Sequence, residues 1–137
     1  MQSSAAALAA FNAATDPTVG SGKMVMDIMR AGGLIVAGTD TPNAINLHGE
    51  LMSYVLAGMT PFEALKAATV NPAKALNVDT GTIEAGKLAD LIVVDGDPLK
   101  DIAAAHKVKR VIANGRVYEM NQLLGAAPAR TTSAGQF

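Results

Sequence analysis

Two polar side chains carry the chemistry this sequence could do. Asp40 closes the stretch Leu34-Ile35-Val36-Ala37-Gly38-Thr39-Asp40, and His48 follows in Leu47-His48-Gly49-Glu50. A carboxylate at the C-terminal end of a buried parallel strand is where barrel enzymes place catalytic groups. There it could ligate a divalent metal and accept a proton from the water that the metal activates. Asp-Thr-Pro also begins turns, with the carboxylate accepting a hydrogen bond from an amide shortly after it. Both readings of Asp40 are open at this level. His48 reads either as a solvated helix residue or as a ligand to something bound.

Other chemistries fall away on residue type and spacing. The chain has no cysteine, which removes thiolate nucleophiles, disulfides and sulfur-liganded metals. A cysteine-free chain suits the cytoplasm as well as a periplasmic or secreted setting, so the compartment stays open. Gly20-Ser21-Gly22-Lys23 has Pro17 where a phosphate loop needs its first glycine, and Met24 where it needs a hydroxyl. No GxSxG elbow is present. His48 and His106 lack the HxH or HExxH spacing that places two imidazoles on one ion, so the chain holds no self-contained metal site.

The elements that must position Asp40 follow from periodicity. Met24, Val25, Ile28 and Met29 fall on a helical period that Gly32-Gly33 ends. Residues 34–37 are continuously apolar, the pattern of a strand covered on both faces. Asn46 can cap a helix with Leu47, Leu51, Tyr54 and Val55 on one stripe, stopped by Gly58. Thr60, Pro61 and Glu63 form a capping box, and Asn71-Pro72 repeats a helix start. Beyond Gly81, Leu91-Ile92-Val93-Val94 reads as a buried strand, and Asn114-Gly115 as the type I′ turn of a hairpin. These features divide the chain into residues 1–78 (helix, strand, helices), 79–124 (strands and hairpin) and a flexible tail at 125–137.

Composition limits the partners. Eleven basic and twelve acidic residues are spread along 137 positions, net charge −1, which gives no footprint for nucleic acid or an anionic membrane. No uncharged apolar run approaches the ~20 residues of a membrane span, so a soluble chain is expected. The N-terminal stretch lacks the basic segment of a secretory signal and reads as a helix or frayed lead-in.

The order AGTDTP, LHGEL, AGMTPFEALKAAT, NPAKAL, GTIEAGKLADLIVVDGDPLKDI and VKRVIANGRVY resembles the C-terminal third of the metal-dependent amidohydrolase superfamily, near its imidazolonepropionase-like and prolidase-like members. The resemblance runs from about Gly33 to Leu124. It implies an α/β chain: the last strand and helices of a (β/α)8 barrel, followed by part of a small β-sandwich. Asp40 would then be the aspartate at the end of the last barrel strand, acting as metal ligand, as general base, or as both. His48 would lie near the substrate, while Gly86, Asp90, Asn114 and Gly115 would be scaffold.

Members of that superfamily also carry an HxH pair, a bridging lysine or carboxylate and further histidines, none of which this sequence supplies. The implied divalent metal, zinc, would be bound mainly by residues outside this chain, and the chain alone would be inactive. A strand apolar on both faces also needs neighbours on both edges, because each buried backbone group left unpaired costs about 1–3 kcal/mol. The expected partners are therefore the missing N-terminal part of the barrel, from the same gene or a separate chain, and a small-molecule substrate. Alone, the chain is expected to aggregate or to pair with copies of itself through this strand. Two alternatives stay open: a non-catalytic binding or scaffold protein on the same fold, and an independent structural module in which Asp40 only makes a turn.

Overall fold

The computed structural model describes residues 20–40 and 45–123, together with Ala13 and Asp16. Apart from Ala13 and Asp16, the lead-in expected at the N-terminus lies outside the described residues, as does the tail expected at 125–137. Among the described residues the helices with stated bounds ahead of the sheet are α1 Gly20–Arg30, α2 Ile45–Leu56, α3 Pro61–Ala68 and α4 Val70–Leu76. Strand β1 Leu91–Val94, a 3₁₀ turn Ile102–His106, strands β2 Val108–Ala113 and β3 Arg116–Glu119, and a last turn of helix α5 Met120–Leu123 complete the order. The result is a mixed α/β chain, and among the described residues the strands form one small antiparallel sheet, ordered β1-β2-β3.

Local rules explain most of the boundaries. The Thr60 hydroxyl accepts from the Glu63 amide at 3.2 Å, and the Glu63 carboxylate accepts from the Thr60 amide at 2.7 Å, so the capping box is closed. The Thr60 backbone hydrogen bond, followed by its hydroxyl, holds the Glu63 carboxyl below its ordinary value. At the hairpin, Asn114 and Gly115 take φ of 49° and 76°, as a type I′ turn requires. The Asp90 carboxylate accepts from the Asn114 amide at 2.6 Å, and Ala89 O accepts from the Gly115 amide at 3.1 Å, which ties the turn to the start of β1.

Four expectations need correction. Helix α2 begins at Ile45, so Asn46 is inside it and is not its cap. Helix α4 begins at Val70 after Thr69, and Asn71 spends its side chain elsewhere, donating from Nδ2 to Ile35 O at 2.7 Å. The third concerns residues 34–37, which join no sheet. Their exposure alternates with period two: Leu34 (51%) and Val36 (42%) face outward, while Ile35 and Ala37 pack inward. An apolar run with only one face covered behaves this way when no second layer or neighbouring strand is present among the described residues. Strand β1 departs in the same sense, because Ile92 (55%) and Val93 (45%) are exposed where a buried strand was expected.

The core is correspondingly thin. One cluster joins Met26 of α1 to Ala57 and Met59, with Ile35 and Tyr54 against it. A second joins Leu51 of α2, Ala64 of α3 and Ile102 of the 3₁₀ turn, with Ala37 and Tyr54 against it. Tyr54 packs against both clusters.

Candidate active site

The segment that delivers Asp40 is held by side chains and helix ends in place of strand neighbours. In an extended chain the N–H and C=O of one residue share an edge, and alternate residues address opposite edges. One edge of this segment meets the α3–α4 junction: Ile35 O accepts from Asn71 Nδ2, and the Ala37 amide donates to Ala67 O at 2.8 Å. On the opposite edge the Gly38 amide donates to the Glu50 carboxylate at 3.1 Å. Among the described residues, the Leu34 and Val36 backbone groups on that edge have no hydrogen-bond partner.

Glu50 is a site residue that sequence reading missed. One of its oxygens takes the Gly38 amide, and the other takes the Tyr54 hydroxyl one turn further along α2. Burial, then the hydrogen bond to Glu50 and its charge, push the Tyr54 phenol above its ordinary value, so it stays a donor. The available signal was the i, i+4 spacing of Glu50 and Tyr54. That spacing shows the pair but not the strand end beneath it.

Asp40 itself is exposed and adopts φ of 48°, a left-handed conformation that Asp tolerates better than most residues. Its carboxylate has no hydrogen bond or ion pair to any described residue. Residues 41–44, which would complete the expected Asp-Thr-Pro turn, lie outside the described residues. An exposed, unengaged carboxylate fits as one donor to a divalent cation. The described residues contain no group of three His, Cys, Asp or Glu side chains able to complete such a site. A cleft of about 260 Å³ opens at the other end of the segment, beside Leu34, Met59, Lys66 and Asn71.

His48 is half-buried and looks elsewhere. Positions 48 and 50 of a helix point roughly 200° apart, and the imidazole packs edge-on against His106 of the 3₁₀ turn, centroids 6.4 Å apart. Its Nδ1 is buried without a hydrogen-bond partner among the described residues.

A helical frame that presents a carboxylate at the end of an apolar segment, followed by a small antiparallel sheet, has clear relatives. The model of the amidohydrolase family matches residues 18–118. The chain belongs to the amidohydrolase family. It is 42% identical over 74 residues to an adenine deaminase of Methanosphaera stadtmanae, covering 53% of this chain and 12% of that protein. Over 67 residues it is 48% identical to an imidazolonepropionase of Pyrobaculum arsenaticum, covering 44% of this chain and 17% of that one. Among solved structures it resembles a Xaa-Pro dipeptidase with methionine bound in the active site, at a TM-score of 0.66 and 35% identity, over 72% of this chain and 25% of the other. The chain therefore spans between an eighth and a quarter of these relatives' length. No helix among the described residues is long and apolar enough to cross a membrane.

Proposed function

We propose that this chain is the C-terminal part of a metal-dependent hydrolase that cleaves an amide-type bond in a small molecule, such as a dipeptide or a cyclic amide. Residues 20–78 form the last strand and following helices of a (β/α)8 barrel in this reading, and residues 79–123 contribute strands to a β-sandwich beside it. The observation that carries the reading is Asp40: an exposed carboxylate, unpartnered among the described residues, at the end of an apolar segment whose far edge is open at Leu34 and Val36. Family membership supplies the reaction class, and relatives named deaminase, imidazolonepropionase and dipeptidase frame the substrate range.

In the assembled enzyme Asp40 would hold the divalent metal, zinc in this proposal, together with ligands from the preceding portion of the protein. When bound, the metal supplies Lewis acidity to the scissile carbonyl and lowers the pKa of water. Asp40 accepts the proton of the attacking water and returns it to the leaving nitrogen. The placement of His48 near the substrate rests on the family resemblance alone, since its ring packs against His106 and its Nδ1 is buried. The preceding portion of the protein is the partner in this proposal. Its strand would cover the open edge of Leu34 and Val36, and the groove of about 660 Å³ between Leu65, Ile83, Ile92 and Val111 is a second apolar surface for it.

The test is a metal assay on the chain assembled with that preceding portion. Bound zinc near one or two equivalents, reduced in Asp40→Ala, is the expected result. An assembled protein that binds no divalent metal would favour the scaffold reading instead.

A further inference from the structure

We infer that Glu50 is a positioning residue for Asp40, a role that rests on the hydrolase reading above. Asp40 lies two residues beyond Gly38, at the end of the extended segment. Gly38 ends the edge that Leu34 and Val36 share, and beyond the reach of a strand paired to those two residues its amide needs another acceptor. Here it donates to a carboxylate projecting from α2, twelve residues along the chain.

The acceptor is itself fixed. The second oxygen of Glu50 is bound by Tyr54, which packs against both apolar clusters. Helix α2 therefore reaches across the end of the segment and clamps it. A charge-assisted hydrogen bond is about twice as strong as a neutral one, and it is spent close to the place where the backbone turns into the left-handed conformation of Asp40. A carboxylate that must meet both a metal and a water needs its backbone held still: a displacement near 1 Å costs on the order of 10²-fold in rate. Glu50 touches no reacting atom in this account and acts only through the Gly38–Asp40 backbone.

The experiment uses the assembled protein with Glu50→Ala, Glu50→Gln and Tyr54→Phe, and reads hydrogen exchange at the Gly38 amide beside kcat and KM. Glutamine keeps an oxygen for Gly38 and turns its NH2 toward the Tyr54 oxygen, so it should rescue what alanine loses. Glu50→Ala is expected to speed Gly38 exchange at least tenfold and lower kcat roughly 10- to 100-fold, with KM within about threefold. Tyr54→Phe, which frees one end of the clamp, should fall between Glu50→Gln and Glu50→Ala. If Glu50→Ala does not assemble, the same comparison of exchange with kcat is made on the other two variants. Slower turnover with unchanged Gly38 exchange, or faster exchange with unchanged kcat, overturns the proposal. A wild-type assembly without hydrolysis overturns the hydrolase reading itself, and Gly38 exchange then still decides whether Glu50 holds the strand end.

Discussion

Replacing Asp40 by Asn should lower turnover of the assembled enzyme by about 10² to 10⁴, the usual contribution of a positioned general base, while the fold stays intact. Asparagine matches aspartate in size, tolerates φ near 48° and still offers a carbonyl oxygen to a turn amide. Charge and basicity are all that is lost. If Asp40 served only to shape the turn, Asn would do nearly as well, so the substitution separates the two readings left open by the sequence. Metal content measured on the same preparation divides the effect further. Lost metal identifies Asp40 as a ligand, and retained metal with lost turnover identifies it as a base. The interpretation is clean because the carboxylate has no hydrogen bond or ion pair to a described residue that the change would break.

The largest stability effect is expected at Gly81, which has φ of 85° where the loop after α4 passes the α3–α4 junction. A Cβ there would stand 2.5 Å from Thr69 O, 2.9 Å from Thr69 C and 3.0 Å from the Ala73 Cβ. Two of those three atoms are backbone, so the loop must move away from the helix pair on which it packs. Gly81→Ala should therefore cost the left-handed strain of about 1–3 kcal/mol and the displacement in addition. Gly86 is the internal control, since it has φ of 89° and nothing within 4 Å of its built Cβ. Thermal melts of the assembled protein should show Gly81→Ala several degrees below Gly86→Ala. Equal midpoints would mean that the loop does not lie against Thr69.

Features governed by neighbours in sequence were legible before the structure. The capping box at Thr60 and Glu63, the helix end at Gly32-Gly33 and the Asn114-Gly115 turn each follow from a few adjacent residues whose φ or hydrogen-bonding demands are nearly unconditional. Asp40 was legible as a candidate for the same reason: a charge abruptly ends an apolar run. Long-range chemistry was not legible. Asn71 looked like a helix cap because Asn-Pro usually is one, but its amide is drawn to Ile35 O, thirty-six residues earlier. Glu50 was not singled out, since only the fold brings Gly38 beneath it. The apolar runs at 34–37 and 91–94 were expected to be buried, and hydrophobicity reports what a segment needs covered without naming what covers it. The exposure of Val36 and Ile92 is that unmet need, seen in a chain that spans a quarter or less of the relatives described.

The central claim, that this chain completes a metal-dependent hydrolase, is tested most directly by amide hydrolysis after assembly with the preceding portion of the protein. Each part would be assayed alone and then together, against a panel of dipeptides and cyclic amides, with zinc present. Neither part should turn over the panel alone; the assembly should, and should lose activity on chelation and regain it when zinc is restored. Hydrolysis by this chain alone, or a stably assembled protein that binds zinc and cleaves none of the panel, would contradict the claim.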